Sequence, residues 1–291
     1  MSDSPLTLFD LVPGKVIGKR FTIQRSFRQG GMSATFIVID GDCEQERELQ
    51  VFPSALFDRL DQASEFADHL SQWCQVSSSA VLSVHEVITR GDGTVLLLTD
   101  LPQGKSLREW VAENKNMELS DVVDLGCHLL SGLEEIHGAG QVHGDIKPHT
   151  IHFDGDPLKS VLVDGGITTG LWSAKHLGDK TALIGTPFYA PVEQFGGDSP
   201  DVQSDVYNLA TVLYELCVGV VPWPGSSFLE VFQAKLESRP PSMRSRARDI
   251  EVPEALEQAI VGGLLADRRE RYADAQTFRE ALESVDLTSG V

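Results

Sequence analysis

The stretch Val142-His143-Gly144-Asp145-Ile146-Lys147-Pro148, followed in the same chain by Leu162-Val163-Asp164-Gly165-Gly166, decides how this sequence is read. Two acids on neighbouring loops with a lysine between them in sequence form the set that phosphoryl transfer needs. One carboxylate orients a hydroxyl, the other holds magnesium, and the lysine neutralises developing charge.

Outward from these loops the chain changes character. On the N-terminal side Val122, Leu125, Leu129, Leu133 and Ile136 recur at helical spacing, opened by Ser120 and closed by Gly138 and Gly140. On the C-terminal side a helix beginning at Ser204 buries Leu209, Leu213 and Leu216 before Gly219. Before residue 102 the pattern is short alternating runs instead: Phe21 to Phe27, Thr35 to Asp40, Arg47 to Phe52, Val84 to Thr89 and Val95 to Asp100, which predict five strands. The last two flank Arg90-Gly91-Asp92-Gly93, whose glycines suit a tight hairpin turn. Between the third and fourth runs, Leu60, Phe66, Leu70 and Trp73 predict one helix. The organisation expected is an extension (1–20), a sheet-rich lobe (21–101), a hinge at Pro102-Gln103-Gly104, a helical lobe (105–287) and a tail (288–291).

The composition narrows the function classes. Of 291 residues 41% are hydrophobic and 23% charged, which is enough to bury a core without help. Forty-three acids against 24 basic residues give a formal charge of −19, which repels nucleic acid and anionic membrane surfaces. No nucleic-acid or membrane partner is expected. Cys43, Cys74, Cys127 and Cys217 lie far apart with no CxxC pair, so neither a zinc site nor a disulfide framework is indicated. Met1 to Pro13 lacks the features of a secretory signal, and the longest apolar stretch, Leu209 to Trp223, is broken by Glu215. A cytoplasmic protein is expected.

From about Lys15 to Leu282 the chain resembles the protein kinase family, in particular bacterial serine/threonine kinases, through several motifs in the family's order. Ile146-Lys147-Pro148 matches the catalytic loop, with Asp145 in the place of the catalytic base. Gly185-Thr186-Pro187-Phe188-Tyr189 and Glu193-Gln194 match the end of the activation segment, and Ser204 to Leu209 match the start of the buried helix after it. Arg271, in the late Asp267 to Tyr272 motif, is the arginine that the family pairs with Glu193. The resemblance implies a two-lobed α+β fold with a small antiparallel five-stranded lobe bearing one helix, and a larger, mainly helical lobe. It assigns Asp145, Lys147 and Thr186 to catalysis, Asp164 to magnesium, and Gly30, Gly31, Gln50, Leu98 and Thr150 to the nucleotide.

Several positions depart from the family's pattern. Its phosphate-covering loop, G-x-G-x-x-G, is here Arg28-Gln29-Gly30-Gly31-Met32-Ser33 and keeps only the middle glycine. The lysine of the third strand is replaced by neutral Gln50, and Glu48, on the same face, stands where the family keeps a small alanine against the adenine. Arg47 points to the opposite face, whereas Arg28 or Arg25 is a candidate for a relocated cation. The helix glutamate's place falls at His69, with Glu65 one turn earlier. Thr150 replaces the magnesium-binding asparagine, Gly165 the phenylalanine of Asp-Phe-Gly, and Gly144 the arginine of His-Arg-Asp. Ala190-Pro191-Val192-Glu193 keeps the glutamate spacing but shifts the alanine and proline by one.

These losses favour a pseudokinase that binds a protein, with weak or absent use of ATP and magnesium. The competing reading is an active serine/threonine kinase acting on a protein substrate. A small-molecule kinase, suggested by the His143-Gly144-Asp145 triplet, is a remote third, because Gly185-Thr186-Pro187 and a Glu193–Arg271 pair shape a peptide platform. His137, His152 and His176 are read as packing or surface residues.

Overall fold

A computed structural model describes residues 6–7, 10–29, 32–175, 187–237 and 239–287. The chain divides into two compact units, one of Met1–Ser77, Leu82–Pro102 and Gly170–Leu177, the other of Ser78–Val81, Gln103–Thr169 and Gly178–Val291. The expected α+β kinase-like architecture is present.

The first unit is a six-stranded antiparallel sheet in the order β1-β2-β3-β4-β6-β5. Its strands are β1 (Val16–Ile17), β2 (Phe21–Gln29), β3 (Ala34–Asp40), β4 (Gln45–Phe52), β5 (Val84–Thr89) and β6 (Val95–Thr99). The expectation was five strands, and β1 is the addition. Two residues are too few for an alternating pattern to register, yet Ile17 is buried against the sheet. The β5–β6 hairpin closes as read, with the Arg90 amide donating to the Thr94 carbonyl.

One face of this sheet carries Phe21, Ile23, Ala34, Phe36, Val38, Leu49, Val51, Leu96 and Leu98, covered by Leu11 and Leu6. The other face meets α1 (Leu60–Ser71), where Phe66 contacts Phe52 edge-on at 4.9 Å between ring centres. Leu60, expected on the buried stripe, is 64% exposed because it lies in the helix's first turn, ahead of the packed residues Ala63, Phe66, Ala67 and Leu70.

The second unit is mainly helical: α2 (Leu107–Asn114), α3 (Leu119–Gly138), α5 (Val192–Phe195), α6 (Val202–Val218), α7 (Phe228–Glu237), α8 (Met243–Arg246), α9 (Glu254–Gly262) and α10 (Ala275–Glu283). A further helix, α4 (Ile167–Ala174), runs across the division between the units. A small sheet of β7 (Lys105–Ser106), β8 (Ile151–Phe153) and β9 (Val161–Leu162) accompanies them.

The central helix α6 starts two residues before the Ser204 expected from sequence. Asp201 is its cap: the Asp201 carboxylate accepts from the Ser204 amide while the Ser204 hydroxyl faces the Asp201 amide. Helix α6 is buried on every side from Ser204 to Val218, and its enclosed polar residues Asp205, Asn208 and Glu215 each find hydrogen-bond partners. Helix α3 packs closely on it: a methyl group on Gly126 would lie 2.9 Å from Leu213.

Candidate active site

The catalytic-loop residues gather in the second unit because Asp205, near the start of α6, organises the backbone ahead of them. Its buried carboxylate accepts from the amides of His143 and Gly144, both at 2.8 Å, and contacts His137 Nε2 at 3.0 Å. His137, read from sequence as a packing residue, thus helps hold that carboxylate. Gly144 takes a left-handed φ of 80°, where a side chain is strained, and a Cβ there would sit 2.8 Å from Thr169 Cγ2. The arginine expected of the family would meet both obstacles.

His143 is fully buried and neutral in this geometry. Its Nε2 donates to the Val163 carbonyl at 3.0 Å, and Nδ1 accepts from the Asp145 amide at 3.4 Å. Burial holds its pKa below the ordinary histidine value.

Lys147 Nζ lies 2.6 Å from Asp145 Oδ2, so the lysine and the candidate base form an ion pair. Burial lifts the Asp145 carboxyl above the usual range, with Lys147 opposing and the nearby Asp164 carboxylate reinforcing it. Asp164 itself has φ 64°, a left-handed backbone that few aspartates adopt and that recurs where chemistry demands it. Its loop is tied to the catalytic loop by amides of Val163 to the Thr150 carbonyl at 3.0 Å and of Gly166 to the His143 carbonyl at 3.1 Å.

Thr150 is committed to the loop. Its hydroxyl faces the carbonyls of Asp145 at 2.8 Å and Lys147 at 3.1 Å, and accepts from the Lys147 amide at 3.1 Å. One hydroxyl proton and one of its two lone pairs are therefore used, which leaves a single lone pair for a metal. Asp164 fits a magnesium ligand, whereas Thr150 fits a brace. Among the described residues no group of three His, Cys, Asp or Glu side chains could hold a metal by themselves.

Beyond these loops the second unit contains a densely pinned segment, Pro187 to Ala190. The Tyr189 hydroxyl donates to Glu215 at 2.6 Å, and Asn208 Nδ2 donates to the Tyr189 carbonyl at 2.8 Å. Lys235, only 1% exposed, donates to the carbonyls of Pro187, Phe188 and Ala190 at 3.0, 2.9 and 2.5 Å, with Tyr207 and Phe195 ring centres 5.0 and 5.5 Å from its Nζ. Sequence reading missed this lysine. The signal was present, because Phe228, Val231, Phe232 and Lys235 share one helical face. The expected Glu193–Arg271 pair is formed, two-pronged at 2.7 and 3.2 Å, and Arg271 also donates to the carbonyls of Leu265 and Gln203. Thr186, Gly30, Gly31 and His176 lie outside the described residues.

In the first unit the face turned toward α1 carries the polar residues that sequence reading singled out. Gln50 Nε2 donates to the Ser33 hydroxyl at 2.9 Å. Glu48, with a side chain 2% exposed, accepts from Arg28 Nη2 at 2.6 Å. The pair spans β3, since Arg28 is opposite Thr35 and Glu48 opposite Ile37. Arg47 is on the other face, paired with Asp100, as its strand parity demands.

The assignment of Leu98 to the nucleotide is corrected by register. Leu98 is opposite Leu49 in the cluster under Leu11, whereas Leu97 is opposite Gln50 and Thr99 opposite Glu48. Leu97 and Thr99 therefore carry the face that Gln50 shares. On α1, Glu65 is exposed, and His69 is half-buried with Cδ2 2.8 Å from where a Cβ of Gly170 would be. Burial lowers its pKa, so at the place expected for the helix glutamate the charged form of this ring is disfavoured.

A model of the protein kinase domain matches residues 58–283. The chain belongs to the protein kinase domain family. It is similar to the serine/threonine-protein kinase pkn3 of Myxococcus xanthus, 25% identical over 279 residues covering 94% of this chain and 51% of that protein. It is likewise similar to serine/threonine-protein kinase PknL of Mycobacterium tuberculosis, 27% identical over 95% of this chain and 68% of that one, and to PrkC of Bacillus subtilis, 26% identical over 93% and 41%. The chain thus spans about half the length of pkn3, the curated relative it covers at 51%. In fold it is similar to the crystal structure of the Mycobacterium tuberculosis PknI kinase domain, with a TM-score of 0.71, 17% identity, and coverage of 94% of this chain and 98% of that one. The family match begins after β4, so Arg28, Glu48 and Gln50 lie outside it.

Proposed function

We infer that this domain of the bacterial serine/threonine kinase type works as a pseudokinase: it binds a protein, on the cytoplasmic side of the cell, and turns over ATP weakly or not at all. The observation that carries the reading is the neutral polar set on the α1-facing side of the sheet. There a Glu48–Arg28 pair and a Gln50–Ser33 hydrogen bond stand where the family has an alanine and a phosphate-binding lysine. The loss of one such cation slows transfer on the order of a hundredfold or more. The commitment of the Thr150 hydroxyl to its own loop supports the same reading. The lobes are taken as 21–101 and 105–287, hinged at 102–104, and the protein partner is met by the helical lobe's rigid segment around Tyr189.

An active kinase is the second reading, favoured by the intact Asp145–Lys147 pair and by Asp164 beside it. ATP and magnesium, when bound, would supply the transferable phosphoryl group and the charge that stabilises its transfer. Asp145 would then orient the acceptor hydroxyl, Lys147 would offset charge, and Asp164 would hold the metal. Thermal unfolding with and without ATP and magnesium separates the readings. The pseudokinase reading expects little or no stabilisation. A rise of several degrees that disappears in Asp164→Ala overturns the loss of nucleotide binding, and radiolabel transfer to a protein substrate that disappears in Asp145→Ala overturns the pseudokinase reading itself.

A further inference from the structure

The two charged groups on the α1-facing side of the sheet raise a question that the loss of a lysine does not answer. A basic residue is still there: Arg28, at the end of β2, is on the same face as Gln50 and reaches toward it from two strands away. Its side chain is 27% exposed, so that a ligand can reach it from solvent. What stops it from serving a phosphate is Glu48. That carboxylate is almost wholly enclosed, and a buried carboxylate holds its counterion tightly because water cannot compensate it. Glu48, Arg28 and Gln50 together sum to zero charge, in a chain of formal charge −19. A polyphosphate approaching this face would find an ion pair of no net charge and a neutral carboxamide already donating to Ser33.

We propose that Glu48 is the specificity-determining residue that excludes polyphosphates from this face, by holding Arg28 in an internal ion pair, so that the site is latched rather than merely stripped. This rests on the pseudokinase reading and deepens it. An unlatched Arg28 presents a planar fork that binds phosphate oxygens two at a time, which a lysine cannot do.

The test measures Mg-ATP and adenosine affinity by calorimetry on the whole chain, in wild type, Glu48→Ala, Glu48→Gln and Arg28→Ala/Glu48→Ala. The isosteric glutamine variant covers the case in which alanine disturbs folding, and circular dichroism checks each protein. Glu48→Ala and Glu48→Gln should bind Mg-ATP at least about tenfold more tightly than wild type, while the double variant returns to the wild-type level and adenosine, which carries no phosphate, binds no better to Glu48→Ala than to the double variant. Wild type and single variants that bind ATP equally weakly would overturn the latch while leaving the pseudokinase reading in place. Wild type that already binds as tightly as the single variants would overturn the latch and the loss of nucleotide binding together, whereas only radiolabel transfer overturns the pseudokinase reading. A gain retained in the double variant would show that the carboxylate alone acts, and would overturn the role given to Arg28.

Discussion

Two buried ion pairs invite comparison, Arg271–Glu193 in the helical unit and Arg28–Glu48 in the sheet unit. In the first, the arginine side chain is wholly enclosed and donates to backbone carbonyls as well as to the carboxylate. In the second, it is the carboxylate that is enclosed, and the arginine remains partly in solvent. The enclosed partner decides what a pair is for. An arginine that ties a carboxylate to several stretches of backbone is scaffolding. An arginine held at a surface by a carboxylate beneath it is a ligand group kept from its ligand.

The contrast can be broken by deletion. Arg271→Ala leaves Glu193 and the carbonyls of Leu265 and Gln203 without their donor, and should cost about 3–5 kcal/mol in urea denaturation. Arg28→Ala should cost less, because water can reach the space it vacates and hydrate that edge of the sheet. If the two losses are equal, or Arg28→Ala costs more, the distinction between scaffold and latch fails.

A smaller effect sharpens the same point on the catalytic loop. Gly144→Ala forces a side chain into the left-handed region, worth roughly 1–2 kcal/mol, and presses its Cβ against Thr169. Gly140→Ala, at φ 73° with nothing within 4 Å of the added carbon, supplies the strain alone. Gly144→Ala should therefore lower the unfolding midpoint more than Gly140→Ala. Equal shifts would mean that Thr169 yields freely and that the loop is less rigid than its Asp205 contacts imply.

How much of this was legible in the sequence follows from the same physics. The catalytic loop, the Glu193–Arg271 pair and five strands could be read because short motifs and period-two alternation survive in a linear string. β1 could not, being two residues long. Leu98 was set on the wrong face because Leu96-Leu97-Leu98 offers no polar contrast to fix its parity, and both faces of β6 are buried. The Arg28–Glu48 pair was invisible for a different reason: its partners are 20 residues apart and separated by an intervening strand, so no spacing rule joins them. Lys235 was legible on its helical face, but a lone lysine in an amphipathic helix is ordinarily solvated, and only its three carbonyl partners show otherwise.

The smallest expected effect concerns His143, at the junction of the two acid-bearing loops. Its neutral form is fixed by donating to Val163 and accepting from the Asp145 amide. Burial lowers its folded pKa below the 6.5 of an unfolded chain. As pH falls through that value the unfolded state takes up a proton that the folded state refuses, so stability present in full above it is lost on acidification, by at most about 1.4 kcal/mol per pH unit. His69, His128 and His149, each held low chiefly by burial, add to the same slope. Asp145, whose carboxyl is raised, works against it, because there the folded state keeps the proton longer. Comparison with His143→Gln isolates the one group, since the amide can still donate to Val163 but does not titrate. Between about pH 7.5 and about pH 5.5 the wild type should lose more stability in urea than the variant. A variant that declines as steeply as wild type would place the acid sensitivity elsewhere among the histidines, and would leave the catalytic loop indifferent to protonation at its core.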